Sequence, residues 1–107
     1  CRDESQSLVP GEYVPESLVT GLKALADPTR LRILHYLNHG ATTPSSLAKK
    51  VRLRAPTVIH HLNLLRLAGL VQVTITANGD RHYNLRQEAV EETYKQLRLV
   101  INPGKKH

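Results

Sequence analysis

The stretch RAPTVIHHLNLLRLAGL, residues 54–70, decides the fold. At about 100° per residue, Val58, Leu62 and Leu65 fall on one side of a helix, while Pro56, His60, Asn63 and Leu67 fall opposite. Thr57 and Leu64 occupy a flank. Three aliphatics at i, i+4 and i+7 predict a helix over about 55–68 that seats one side on a core and leaves the other free, and Gly69 ends it. His60 then points outward and His61 lies nearer the buried edge. Two adjacent histidines admit three readings: metal binding, acid–base chemistry, or contact with a large polyanion.

The residues upstream are basic and well punctuated. Lys49, Lys50, Arg52 and Arg54 place four cations within six residues, directly before the helix. Thr43-Pro44 is a cap followed by a first-turn proline, which opens a short helix carrying Leu47, Ala48 and Val51. Asp27-Pro28 repeats that signal for an earlier helix running to about Asn38, with Leu31, Leu34 and Leu37 inward and Gly40 as its stop. Pro15 opens the first helix, with Leu18, Val19, Leu22 and Leu25 on one face.

Downstream the period changes from 3.6 to 2. In LVQVTIT, Val71, Val73 and Ile75 alternate with Gln72, Thr74 and Thr76, as in a half-buried strand. Asn78-Gly79 signals a hairpin, and RHYNL returns with Tyr83 and Leu85 inward. A last helix over about 87–101 carries Val90, Tyr94, Leu97 and Ile101 in a seam. About five helices and a two-stranded antiparallel hairpin predict a mostly α winged helix-turn-helix, in which a short turn sets two helices at a steep angle and the second enters a DNA major groove. The domain is expected over 15–101. Residues 1–14, with Pro10-Gly11 and no periodicity, read as a linker or the tail of an upstream region, and 102–107 as a basic tail.

Composition agrees with a polyanionic partner. The 107 residues suit one domain with a core of Leu, Ile, Val and Ala, since Phe, Trp and Met are absent. The net charge of +6 is uneven: −3 over residues 1–16, +8 over 17–86, where ten Lys and Arg face only Asp27 and Asp80, and +1 over 87–107. The lone Cys1 allows no internal disulfide and, with the missing start methionine, suggests a chain cut from something longer. No apolar run reaches the roughly 18 residues of a membrane span. Together these features predict a cytoplasmic protein.

LKALADPTRLRILHYL (22–37), LAKKVRLRAPTVIHHLNLLRLAGLV (47–71) and the wing GDRHYNL (79–85) together resemble the ArsR-like family, the arsenical-resistance repressor type of transcriptional regulator. The resemblance covers about residues 20–86. It implies a bacterial, dimeric, sequence-specific regulator that binds double-stranded DNA, with the first and last helices forming the homodimer interface. On this chain those positions are Leu18, Leu22, Leu25, Val90, Tyr94, Leu97 and Ile101. Many members carry a cysteine pair where this chain reads TTPSSL (42–47), and a second metal site uses Asp and His on the last helix, where QEAVEETYKQLRLVI has no histidine. No metal and no cofactor are therefore expected. His60 matches the family's DNA-facing histidine. Ala55, Pro56 and Ile59 replace polar residues common at the start of the recognition helix. Arg52 replaces a turn glycine, which predicts a left-handed arginine at a cost of roughly 1–2 kcal/mol. Arg54 replaces a capping serine and cannot cap.

The expected DNA contacts are thus Thr43, Ser45, Lys49, Lys50, Arg52, Arg54, Ala55, Pro56, Thr57, Ile59, His60, His61, Asn63, Asn78, Arg81 and His82. Each has a plainer alternative. The cations can be a solvated face, Thr43 and Ser45 can serve only the helix N-terminus with Ser46, and His61 can be structural. His35 and His39 have the spacing of a zinc pair, but no carboxylate or cysteine lies near in sequence. Catalysis fails on inventory, with no Gly-rich phosphate loop and no nucleophile with a spaced base. The rival function is a winged helix that contacts protein rather than DNA, motivated by the apolar tip at Ala55, Pro56 and Ile59. RNA binding finds no aromatic stacking surface.

Overall fold

The protein is described by a computed structural model over residues 13–102. Most of the expected linker (1–12) and basic tail (103–107) lie outside the described residues. The order is α1 (Glu16–Leu25), α2 (Pro28–Leu37), α3 (Pro44–Val51), α4 (Ala55–Leu67), β1 (Val71–Ile75), β2 (Arg81–Leu85) and α5 (Gln87–Ile101).

The caps work as the residue chemistry requires. Asp27 Oδ2 accepts from the Arg30 amide at 3.0 Å, and Thr43 Oγ1 accepts from the Ser46 amide at 3.2 Å. Arg54 precedes α4 and makes no side-chain cap. Arg52 closes α3 at φ 61°, ψ 46°, the only non-glycine residue with positive φ among the described residues. That left-handed residue makes the turn between α3 and α4 sharp, and the Leu53 amide returns to the Ala48 carbonyl at 3.0 Å.

Ile33, Leu47, Val58, Leu62 and Leu65 are fully buried, joined by Leu37, Val51, Leu70, Val71 and Tyr83. Each such side chain contributes about 1.5–3 kcal/mol by leaving water. Two expectations fail here. In α2, Ile33 takes the inward place assigned to Leu31, which is 51% exposed. In β1, Val71 is buried, Val73 half-buried and Ile75 58% exposed, because the wing leaves the core as it extends.

β1 and β2 pair antiparallel, with Val73 opposite Tyr83 and Thr74 opposite His82. Residues 76–80 connect the strands: the Thr76 amide donates to the Asp80 carbonyl at 2.8 Å, the Gly79 amide to the Thr76 carbonyl at 2.9 Å, and Gly79 takes φ 87°. Tyr83 also exchanges both backbone hydrogen bonds with Thr42, at 3.2 and 2.7 Å, which ties the wing to the segment entering α3.

α5 crosses α1 closely. A Cβ on Gly21 would sit 3.4 Å from Thr93 Oγ1, and that hydroxyl donates to the Ala89 carbonyl at 3.0 Å. Leu18, one turn before Gly21, is 1% exposed, so it belongs to the interior of the chain rather than to a free face. Leu22 and Leu25 are half-buried.

Candidate nucleic-acid interface

α4 presents its outward arc as the helical angles require. Pro56, Thr57 and His60 are exposed, whereas Ala55 and Ile59 are half-buried, so the tip is less apolar than its sequence suggests. Lys49, Arg52, Arg54 and Ser45 are exposed on the approach to α4. Lys50 leans toward α2, its Nζ 5.7 Å from the centre of the Tyr36 ring. The Thr43 hydroxyl is occupied as a cap.

His61 is held from behind. Arg30 donates from Nε to the Ala24 carbonyl at 2.6 Å and from Nη2 to the Lys23 carbonyl at 3.4 Å, and its Nη1 lies 3.2 Å from His61 Nδ1. Burial, then the Arg30 and His60 charges, hold the His61 pKa below its ordinary 6.5, against the opposing pull of Asp27. His61 is thus half-buried and engaged within the chain. Arg30 lies outside the sequence-derived site; 31 residues separate it from His61, and no local pattern links them.

The wing divides its residues between two faces. Arg81 shares the side of Tyr83, while His82 is half-buried on the other side opposite Thr74. Asn63, expected on the outward arc, is half-buried because the wing stands beside it. Asn63, Arg66, Val73, Ile75, Arg81 and Tyr83 line a cleft of about 210 Å³ between α4 and the wing. Arg66 was missed by sequence reasoning, although its spacing of three from Asn63 places it on the same helical side. Asn78 sits exposed in the wing loop.

No cluster of three metal-ligating side chains occurs among the described residues. His39 Nδ1 lies 2.9 Å from the His35 carbonyl, which engages one nitrogen of that spaced pair. No helix among them is long and apolar enough to cross a membrane.

Two helices, α3 and α4, joined by a tight turn, an exposed α4 arc behind a run of cations, and a hairpin beside it define a winged helix-turn-helix. The pattern described as "Bacterial regulatory protein, arsR family" matches residues 27–73. The chain is 39% identical over 82 residues to the transcriptional repressor SdpR of Bacillus subtilis, covering 77% of this chain and 90% of that protein. It is 34% identical over 86 residues to the arsenical resistance operon repressor of Staphylococcus xylosus, covering 79% and 81%. An ArsR-like transcriptional regulator from Rhodococcus sp. RHA1 superposes with a TM-score of 0.74 at 26% identity, over 81% of each chain. This chain belongs to the arsR family of bacterial regulatory proteins. It is a DNA-binding transcriptional regulator, and these relatives are regulators rather than enzymes.

Proposed function

We propose that this regulator works in the cytoplasm as a homodimer, inserting α4 of each protomer into the major groove of successive half-sites, with residues 15–101 as the DNA-binding unit. The observation that carries this reading is the exposed arc of Pro56, Thr57 and His60 lying directly behind Lys49, Arg52 and Arg54. The cations hold phosphates and set orientation, while His60 reads a base edge and Thr57 stands beside it. His61 acts through the placement of α4. At the wing, Asn78 and Arg81 reach the flanking backbone, and His82 contributes less because it faces away from α4.

Dimerisation rests on exposed apolar surface along α5. Tyr94 is 53% exposed and Ile101 66%, and Leu97 is half-buried beside them on the same side of the helix. A 107-residue monomer gains nothing by wetting that stripe, and a second copy would cover it. Leu22, Leu25 and Val90 are available at its margin; Leu18 is not.

The test is equilibrium binding to duplex DNA across salt concentrations. Phosphate contacts release counterions, so affinity should fall steeply with salt, by about 0.9 log unit per log unit for each contact. Affinity that ignores salt, or none at low salt, would support the protein-contact rival instead.

A further inference from the structure

The cleft between α4 and the wing has walls of unusual charge. Arg66 stands on its α4 wall in the last helical turn, and Arg81 on its wing wall at the start of β2. Asn63 adds an amide, and Val73, Ile75 and Tyr83 supply an apolar floor. Across residues 55–86 the only acid is Asp80, in the wing loop, and among the described residues neither arginine makes a hydrogen bond or ion pair with a carboxylate. Two guanidinium groups with no acidic partner repel each other across a cleft of about 210 Å³. A helix C-terminus accounts for Arg66 alone, and strand alternation accounts for the direction of Arg81. Neither accounts for both lining one cleft with an amide between them.

We infer that Arg66 and Arg81 form a shared seat for one backbone phosphate of the DNA duplex, with Asn63 as a third donor. This deepens the DNA-binding reading proposed above and rests on it. A phosphodiester carries one charge and two free oxygens, so each guanidinium fork can take one oxygen while the sugar edges lie on Val73 and Ile75. The seat joins the C-terminal half of α4 to the wing. It would therefore fix the angle of α4 in the groove as well as add affinity, because both walls must close on one atom cluster.

The test uses the whole protein with a duplex in which single phosphates are replaced in turn by neutral methylphosphonate. Arg66→Gln, Arg81→Gln and the double variant are compared with the unsubstituted protein, each with its melting temperature measured. Both side chains are exposed at the protein surface, so the variants should melt normally. The unsubstituted protein should lose roughly tenfold in affinity at one backbone position per half-site. Each single variant should reduce that penalty at the same position, and the double variant should abolish it. The salt slope of the double variant should drop by about 0.9 per half-site, one phosphate rather than two. Arg66→Lys keeps the charge without the fork, and should preserve the slope while weakening binding.

Penalties that change at two separate positions, or a slope loss of about 1.8, would overturn the shared seat. So would an Arg66→Gln protein that binds every duplex like the parent. If inorganic phosphate at submillimolar concentration perturbs both arginines while the DNA penalties stay unchanged, the cleft serves a small anion and the proposal fails. Loss of all DNA binding in the unsubstituted protein is a different result, because it removes the parent reading too.

Discussion

The guanidinium of Arg30 joins the last turn of α1 to α4, donating to the Ala24 and Lys23 carbonyls and making a 3.2 Å contact between its Nη1 and Nδ1 of His61. A guanidinium only donates, so Nδ1 must accept, and the imidazole must be neutral with its proton on Nε2. Protonation of His61 would place two cations against each other on a half-buried surface.

This geometry predicts a pH dependence with a definite sign. The folded His61 pKa lies below its ordinary 6.5, so the unfolded chain takes up the proton first as pH falls. The stability is present above about 6.5 and is lost as pH drops through the lowered folded value. Melting temperature should fall between pH 7 and 5, and His61→Gln should flatten that slope. The Asp27 cap does not interfere, because its carboxyl is held below 3.8, chiefly by the Arg30 amide, and its contribution fades only in stronger acid. A profile for His61→Gln identical to the parent's would refute the role given to this contact.

Arg52 offers a trade between stability and binding. Its φ of 61° suits glycine, and Arg52→Gly should raise stability by about 1 kcal/mol, several degrees in melting temperature. The same change removes a cation beside α4. It should weaken binding to specific and scrambled duplexes alike and lower the salt slope by at most about 0.9 per protomer. A destabilised Arg52→Gly protein would mean that the arginine side chain supports the turn in a way its exposure does not suggest.

The apolar edge of α5 predicts the oligomeric state. Tyr94→Glu, at a position 53% exposed, should leave the fold intact and yield a monomer by sedimentation, with binding to a two-half-site duplex reduced far more than binding to a single half-site. A monomeric parent protein at high concentration would count against the homodimer itself.

Zinc should not govern this regulator. The positions 42–47 carry no cysteine, and His39 already engages the His35 carbonyl. Calorimetric titration should show no stoichiometric binding, and added zinc should leave DNA affinity unchanged. Tight binding lost in His39→Ala would reverse this expectation.

The local logic of the chain was legible where one chemical rule acted alone. The Val58, Leu62 and Leu65 stripe and the caps at Asp27 and Thr43 needed only periodicity and hydrogen-bond supply, whereas the left-handed Arg52 was legible only through the resemblance, as the residue standing where relatives carry a turn glycine. Failures occurred where a distant element chose among local options. LRILHYL offers aliphatics on two faces, and packing selected Ile33 over Leu31. The close crossing of α1 and α5 at Gly21 and Thr93 lies beside Leu18, which the resemblance assigned to the dimer interface and the fold buries. Helical angle placed Asn63 outward, but the wing beside it turned that surface into a cleft wall shared with Arg66. Arg30 reaches His61 across 31 residues, a pairing that no spacing rule contains.

The central claim is that the outward arc of α4 reads DNA, and substitution of His60 tests it most directly. His60 is exposed while His61 is anchored to Arg30, so His60→Ala should keep the parent melting temperature. Affinity for the selected operator should fall by roughly 1–3 kcal/mol, with binding to scrambled duplex and the salt slope unchanged. An unchanged affinity for both duplexes would contradict the account, because the exposed face of α4 would then not be the reader.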